Sequence, residues 1–410
     1  MFRSFAIVSV VIGPALVLRV LGIHVDPVVG LLAYGAAVVG ASFVLAWAAE
    51  AAQVDVSGSL AVAVLAVIAV LPEYAVDLYY AYTAGHVPEY TQYAAANMTG
   101  SNRLLMGLGW PVVVLVSVLV ARRMSGRSPD GLALETSNRV EIGFLMIAGV
   151  AAFAIPATGG IHIAFGLALL GWFGFYLYKL SRGDVEEPEL IGTAEALGAL
   201  PEQVRRITVS ALFILAAAVI VICAKPFADN LIGAGVKLGI DRFLLVQWLA
   251  PLASEAPEFI IATIFAARGK GGNAIAMLIS AKVNQWTLLV GSLPVAFMLG
   301  GGSAEMHLDG RQVEEIVLTA AQTLMGVALL LGLRFQRWAA WAMLGLFVVQ
   351  FPLTSTEGRL LLSALYAVIA LVALLRYRRE LPATFSAPLG GRAKRHGGHP
   401  HPHLEQVHSR

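Results

Sequence analysis

Two short motifs place acidic side chains beside proline inside long apolar segments. The motif AVLPEYAVD contains Glu73 and Asp77, and the motif APLASEAPEFIIA contains Glu255 and Glu258. A proline inside a helix lacks an N–H and leaves a backbone carbonyl free, and the adjacent carboxylate adds a full negative charge. Acidic residues within a membrane-spanning helix are costly and typically mark ion pathways. These residue types therefore indicate a cation-binding site.

A polar motif follows each acidic motif in the next apolar segment. The first, NMTGSN, contains Asn97 and Asn102, and the second, SAKVNQWTLL, contains Asn284. Aligning Asn102 with Asn284 also aligns Gly109 with Gly291. Hard cations such as Ca²⁺ prefer six to eight oxygen ligands from carboxylates, amides and carbonyls. Each half of the chain thus contributes one helix with Pro-Glu and one helix with a central Asn.

The composition predicts a polytopic, all-α membrane protein. Of the 410 residues, 58% are apolar and 13% are charged, whereas soluble domains carry about 25% charged residues. The single cysteine, Cys223, excludes an intramolecular disulfide. A span needs roughly 20 apolar residues. Twelve segments are predicted to span the membrane: 5–23, 28–48, 59–83, 93–120, 139–156, 160–179, 207–224, 243–266, 273–299, 313–333, 336–352 and 360–376.

The spans group into two halves around a hydrophilic loop at 181–206. The predicted units are an extra N-terminal helix at 1–27, a first half at 28–180 with its motif at 59–120, a second half at 207–352 with its motif at 243–299, an extra C-terminal helix at 353–378 and a disordered, His-rich tail at 379–410. The two motifs are five spans apart, so the copies cross the membrane in opposite directions. Inverted repeats with broken helices are a recurrent design of secondary transporters.

The distribution of basic residues predicts the orientation. If the N-terminus, the even-numbered loops and the C-terminus lie on one side of the membrane, that side holds most of the lysines and arginines. Positive charge is retained in the cytoplasm, so we expect a multi-pass protein of the cell (inner) membrane with both termini cytoplasmic. Because the basic residues follow this pattern, nucleic-acid binding is not supported. The expected partners are inorganic cations and the lipid bilayer.

At these motifs the sequence resembles the calcium/cation antiporter superfamily, which includes the sodium/calcium and proton/calcium exchangers. The resemblance implies a ten-helix core of two inverted five-helix repeats, here with one flanking helix at each end. It also implies that Glu73 and Glu258 are the central cation-binding carboxylates. Asn97, Asn102, Asn284 and Ser254 would supply further oxygens. The implied activity is antiport of Ca²⁺ against Na⁺ or H⁺ by alternating access, without a cofactor.

The chain departs from the superfamily pattern by the charges near the proposed site. Lys282 stands where the second motif would have Gly, and Arg103 directly follows the first Gly-Ser-Asn. Asp77 and Glu255 are acids outside the shared pattern and are candidate charge partners of these two bases, or coupling residues. A fixed ammonium can occupy one cation subsite, which favours a second hypothesis, exchange of Na⁺ or K⁺ for protons.

Two further hypotheses concern other functions. A membrane scaffold without transport would use the two bases to fill a former ion site. An intramembrane enzyme is not favoured, because the sequence has no His-Glu-x-x-His motif; we therefore predict a secondary transporter. The tail offers weak metal ligands, His396, His399, His401 and His403.

Overall fold

The computed structural model describes residues 2–55, 70–126, 128–182 and 190–390 and shows an all-helical membrane protein. The α-helices are α1 (Phe2–Val20), α2 (Pro27–Ala52), α3 (Leu71–Ala84), α4 (Tyr90–Leu104), α5 (Trp110–Ser125), α6 (Arg139–Ala151), α7 (Ala154–Thr158), α8 (Ile163–Leu180), α9 (Thr193–Gly198), α10 (Glu202–Leu238), α11 (Arg242–Ser254), α12 (Ala256–Ala267), α13 (Gly271–Asn284), α14 (Val290–Leu299), α15 (Gly310–Leu330), α16 (Arg337–Val349), α17 (Thr356–Arg376) and α18 (Leu381–Ser386). The remaining elements are two π-helical segments, Leu105–Gly109 and Gln285–Leu289, a 3₁₀ turn, Thr136–Asn138, and the strands β1 (Gly131–Ala133), β2 (Gly160–His162), β3 (Glu305–His307) and β4 (Arg334–Gln336).

Within the described part of the chain, nine helical segments are long and apolar enough to cross a membrane, or ten if the bent pair α11–α12 forms one span. These correspond to ten of the twelve predicted spans. For the span predicted at 59–83, the structure describes α3 and not residues 56–69. The span predicted at 336–352 contains α16, which has only 13 residues. The all-helical membrane fold is confirmed.

Two segments extend helical structure beyond the sequence expectation. The span predicted at 207–224 belongs to α10, a helix of 37 residues that continues past Pro226. In the predicted tail, residues 381–386 form α18, and Glu380, directly before it, forms an ion pair of 2.8 Å with Arg139 of α6. Residues 379–390 of the predicted disordered tail are therefore ordered, and residues 391–410 lie outside the described chain.

The loops gather at two opposite ends of the helical bundle. At one end, β1 pairs with β4 in antiparallel register, and at the other end β2 pairs with β3. Each pairing joins a loop of the first half of the chain to a loop of the second half. We name the two ends by these strands, the β1/β4 end and the β2/β3 end.

A close contact between α4 and α11 packs the two halves together at the centre of the bundle. A Cβ built on Gly100 would lie only 1.7 Å from the backbone oxygen of Gln247. A residue with any side chain could not occupy this position without moving one of the helices. Gly100 therefore sets the distance between the first polar motif and the helix that leads into the second acidic motif.

Candidate cation site

Both acidic motifs place proline and glutamate in the first turn of a helix. Pro257 has no N–H to donate to the carbonyl of Ala253, and α11 and α12 meet there at a bend of 55°. Glu258 consequently lies in the first turn of α12. In the first half, Glu73 lies in the first turn of α3, next to Pro72. The unpaired N–H groups of a helix N-terminus favour negative charge, so both carboxylates stand where an anion is stabilised.

The two polar motifs also share a backbone feature, a π-helical segment. Leu105–Gly109 follows Asn102, and Gln285–Leu289 follows Asn284. A π-helical turn contains one extra residue and often occurs at functional sites, where it redirects side chains. The two motifs that align at Asn102 and Asn284 therefore also have the same backbone structure. The residue pattern did not predict the π-helical turns.

Two carboxyl groups, one from each acidic motif, meet at Gln285. The Nε2 of Gln285 donates to Oε1 of Glu255 at 2.8 Å and to Oε1 of Glu73 at 3.3 Å. Glu73 and Glu255 are 5% and 3% exposed. Glu258, which is partly buried, interacts electrostatically with both of these acids, and Ser101 lies beside Glu73 and Glu255. The cluster presents buried carboxylate oxygens that can bind a cation or protons.

Lys282 faces this cluster. Its side chain is 0% exposed, and its Nζ donates to the backbone oxygen of Asn102 at 2.5 Å and to Oδ1 of Asn102 at 2.7 Å. The ammonium also lies 5.7 Å from the ring centroid of Trp286 and interacts electrostatically with Glu73 and Glu255. The Lys282 ammonium therefore binds the amide oxygen of Asn102, which we predicted to bind a transported cation.

Asp77 and Asn97 form a second buried polar pair. Both side chains are 0% exposed and lie near each other. Within the described residues, neither oxygen of Asp77 and neither polar atom of the Asn97 amide has a hydrogen-bond partner. A buried carboxylate without a partner is very unfavourable, so the pair can accept a proton or a cation.

The two remaining predicted ligands already make hydrogen bonds. The Tyr74 hydroxyl donates to Oδ1 of Asn284 at 2.7 Å. The Ser254 hydroxyl donates to the backbone oxygen of Ala250 at 3.2 Å. Each oxygen keeps a lone pair, so either can still bind a cation. Over the described ranges, no three His, Cys, Asp or Glu side chains converge as a metal centre, so a bound metal ion would also need amide and backbone oxygens.

Arg103 does not pair with any acid of the cation site. Its Nη2 contacts Oε2 of Glu315 at 2.5 Å, and Arg359 forms an ion pair with the other oxygen of Glu315. Among the described residues, neither Asp77 nor Glu255 forms an ion pair with Arg103 or Lys282.

Sequence reasoning missed several residues of the site. Gln285 and Tyr74 adjoin predicted ligands in the two motifs, but an uncharged side chain beside a stronger candidate gave no separate signal. Glu315 is an acid inside a predicted span, which was a usable signal for a buried partner of Arg103. The tail histidines His396, His399, His401 and His403 lie outside the described residues.

Comparisons with known proteins agree with this architecture. The model of the family described as sodium/calcium exchanger protein matches residues 27–181 and 208–356. The solved structure of the H⁺/Ca²⁺ exchanger CAX is 38% identical, with a TM-score of 0.89 over 95% of this chain and 97% of that chain. No curated protein sequence matches the chain.

Two more distant structures share the fold. YfkE is 13% identical, with a TM-score of 0.61 over 88% of this chain and 99% of that chain. The sodium-calcium exchanger NCX_Mj is 19% identical, with a TM-score of 0.51 over 78% of this chain and 96% of that chain. The resemblance inferred from the Pro-Glu and Asn motifs is confirmed, as is the prediction of a transporter rather than an enzyme. The chain belongs to the sodium/calcium exchanger protein family and is a membrane exchanger of calcium or related cations.

Proposed function

We propose that this exchanger moves Ca²⁺ in one direction and protons in the other, with Glu73, Glu255 and Glu258 as the shared binding groups. One observation carries the proposal. Two buried carboxylates, one from each inverted motif, share a single neutral hydrogen-bond donor, the amide of Gln285. One ammonium, that of Lys282, lies near these two groups, and Glu258 interacts electrostatically with both, so the three carboxylates cannot all remain charged without a further counter-charge. Either a divalent cation or protons can supply it, and these occupants exclude each other.

The relatives support protons as the counter-ion. The structure that is 38% identical to this chain is that of an H⁺/Ca²⁺ exchanger. Antiport requires only that two ions compete for one site and that this site opens to one side of the membrane at a time. Asn97 supplies an oxygen from the first motif, and Asn284 and Ser254 supply oxygens from the second, whereas Asn102 holds Lys282.

In this mechanism Lys282 is a permanent occupant of one cation subsite. Its ammonium takes both oxygens of Asn102 and offsets part of the negative charge of the cluster. Fewer subsites then remain for transported cations, which limits the number of ions exchanged in each cycle.

The orientation in the membrane is part of the proposal. The β1/β4 end contains the Asp55–Arg205 ion pair and the contact of Arg139 with Glu380. It therefore contains the loops and the C-terminal segment in which the basic residues concentrate. By the positive-inside rule, the β1/β4 end and both termini face the cytoplasm, and the β2/β3 end faces outwards.

The test uses inverted membrane vesicles that contain the overproduced chain. A proton gradient or a Na⁺ gradient is imposed separately, and Ca²⁺ uptake is followed. We expect uptake with the proton gradient, its loss in Glu73→Gln and Glu258→Gln, and normal uptake in Glu357→Gln, which changes an exposed acid in α17. Uptake that requires Na⁺ and ignores pH would contradict proton coupling.

A second candidate function is exchange of Na⁺ or K⁺ for protons. The observation that favours it is the buried Lys282 ammonium, because it lowers the net negative charge available to a divalent ion. In the same vesicles, dissipation of the proton gradient by Na⁺ or K⁺ without any Ca²⁺ flux would favour this function over the first.

A further inference from the structure

A cavity lies at the β2/β3 end, and none of its lining residues belongs to the carboxylate cluster. It has a volume of about 80 Å³ and is lined by parts of α4, α11, α15 and α17 and by the loop that precedes α17. Its polar lining residues are Arg103, Gln247, Gln350 and Arg359, and the indole of Trp248 forms part of the wall. The proposed cation mechanism does not use this cavity.

The charges around the cavity do not balance. Arg103 and Arg359 both contact the single carboxylate of Glu315, and the Nε2 of Gln247 also donates to it at 3.0 Å. One negative charge thus serves two guanidinium groups, which are 2% and 6% exposed. An uncompensated charge within a membrane protein is expensive.

Among the described residues, the nearby acids Glu314 and Asp241 act on Arg359 only through space, without a direct ion pair to it. Arg311 and Asp241 form their own ion pair at 2.9 Å. Glu314 is partly buried, does not line the cavity and forms no ion pair with Arg103 or Arg359 in the described structure. The positive charge in the cavity therefore calls for an anion from outside the protein.

Unpaired polar atoms point to the same conclusion. Gln350 is 6% exposed, lines the cavity and has no hydrogen-bond partner for Nε2 or Oε1 among the described residues. The Nε of Arg103 is likewise without a partner. Arg359 lies near the start of α17, where the helix dipole also favours an anion. Amide and guanidinium N–H groups are donors for an anion.

We propose that this cavity binds a small monovalent inorganic anion of the size of chloride, held by Arg103, Arg359 and Gln350. The wall formed by Trp248 and Phe351, whose ring centroids are 4.7 Å apart, suits a weakly hydrated halide. The site is next to the transport site, because Arg103 follows Asn102, the residue that holds Lys282.

Bromide titration of the purified full chain tests the proposal, because bromide quenches indole fluorescence on contact. The titration replaces gluconate by bromide at constant ionic strength, without Ca²⁺, so its outcome does not depend on which cations are exchanged. The signal of Trp248 is obtained by subtracting the titration of Trp248→Phe. We expect saturable quenching that chloride reverses.

Two variants identify the site. Arg359→Gln should raise the half-saturating bromide concentration by at least about tenfold, since a charge-assisted hydrogen bond is lost. Gln350→Glu keeps the size of the side chain, introduces a negative charge and should abolish saturation. Arg19→Gln removes an exposed arginine near the end of α1 and should leave the titration unchanged.

Two results would overturn the proposal. One is quenching of Trp248 that rises linearly with bromide and is equal in all variants, because that is collisional quenching. The other is saturation that appears only after anionic lipid is removed from the sample, because the occupant would then be a lipid phosphate.

Discussion

The two copies of the motif have the same backbone plan but different chemistry. Each copy has a helix that begins at Pro-Glu and a companion helix with Asn followed by a π-helical segment. When Asn102 is aligned with Asn284, Gly100 in the first copy corresponds to Lys282 in the second. The first copy therefore has its smallest residue at the position where the second copy has a long cation.

This difference shows how an inverted repeat can become functionally asymmetric. Gly100 allows α4 to approach the backbone of Gln247, whereas Lys282 extends across to the oxygens of Asn102 in the other copy. One copy provides close packing and the other a fixed charge. In the proposed mechanism the carboxylates Glu73 and Glu258, which occupy corresponding positions in the two copies, then bind the transported ions in an environment that is not symmetric.

The largest effect should come from the feature that the two copies share. Glu73→Gln and Glu258→Gln each remove one charged ligand, and we expect each to reduce Ca²⁺ transport by about 100-fold, equivalent to ~3 kcal/mol. Initial rates of Ca²⁺ uptake in vesicles measure the effect. If only one variant is inactive, the two carboxylates are not equivalent, and the functional symmetry of the copies is lost.

The next effect tests the close packing in the first copy. Gly100→Ala places a methyl group against the backbone oxygen of Gln247, and overpacking of this kind costs about 1–3 kcal/mol. We expect a lower thermal unfolding temperature of the purified protein and reduced transport.

Gly174→Ala is the matched control, because nothing lies within 4 Å of a Cβ at that position of α8. Ala is a better helix former than Gly by about 1 kcal/mol, so this variant should be no less stable than the wild type. Equal stability of both variants would contradict the close approach at Gly100.

A smaller effect tests the fixed charge of the second copy. Lys282→Met keeps a long side chain but removes the ammonium, which frees the Asn102 oxygens and increases the net negative charge of the site. We expect half-maximal uptake at a Ca²⁺ concentration lower by about tenfold, or ~1.4 kcal/mol. Lys237→Met changes an exposed lysine and should leave that concentration unchanged. An unaltered Ca²⁺ dependence in Lys282→Met would mean that the ammonium does not share the cation site.

The sequence predicted the features that depend on residue type and spacing. The apolar runs predicted the helices, and the proline beside Glu258 predicted the bend between α11 and α12. The position of Glu315 inside a span marked it as a candidate partner for a base, but which charges pair could not be predicted, because pairing depends on contacts distant in sequence. Lys282 contacts Asn102, and Arg103 contacts Glu315; neither contact leaves a periodic signal in the chain.

The smallest effect concerns the connection between the two halves at the β1/β4 end. Asp55 follows α2, and its carboxylate accepts hydrogen bonds from Nε and Nη2 of Arg205 in α10 at 2.7 and 2.6 Å. These hydrogen bonds from Arg205 hold the pKa of Asp55 below its usual value. The pair therefore stabilises the fold above the pKa of an unfolded Asp, about 3.9. This contribution is lost as the pH falls through the lower pKa of the folded state.

Asp55→Asn should accordingly lower the unfolding temperature slightly at pH 7. The difference from the wild type should persist down to about pH 5 and shrink below about pH 4. Asp130→Asn, at an exposed site of the same end, should show no such difference. Transport in Asp55→Asn should remain close to that of the wild type, because the pair lies at the end of the bundle and, within the described structure, makes no contact with the carboxylate cluster. A large loss of transport with unchanged stability would instead mean that this contact between the halves takes part in the conformational cycle. The two copies would then be coupled at the β1/β4 end as well as at the centre of the bundle.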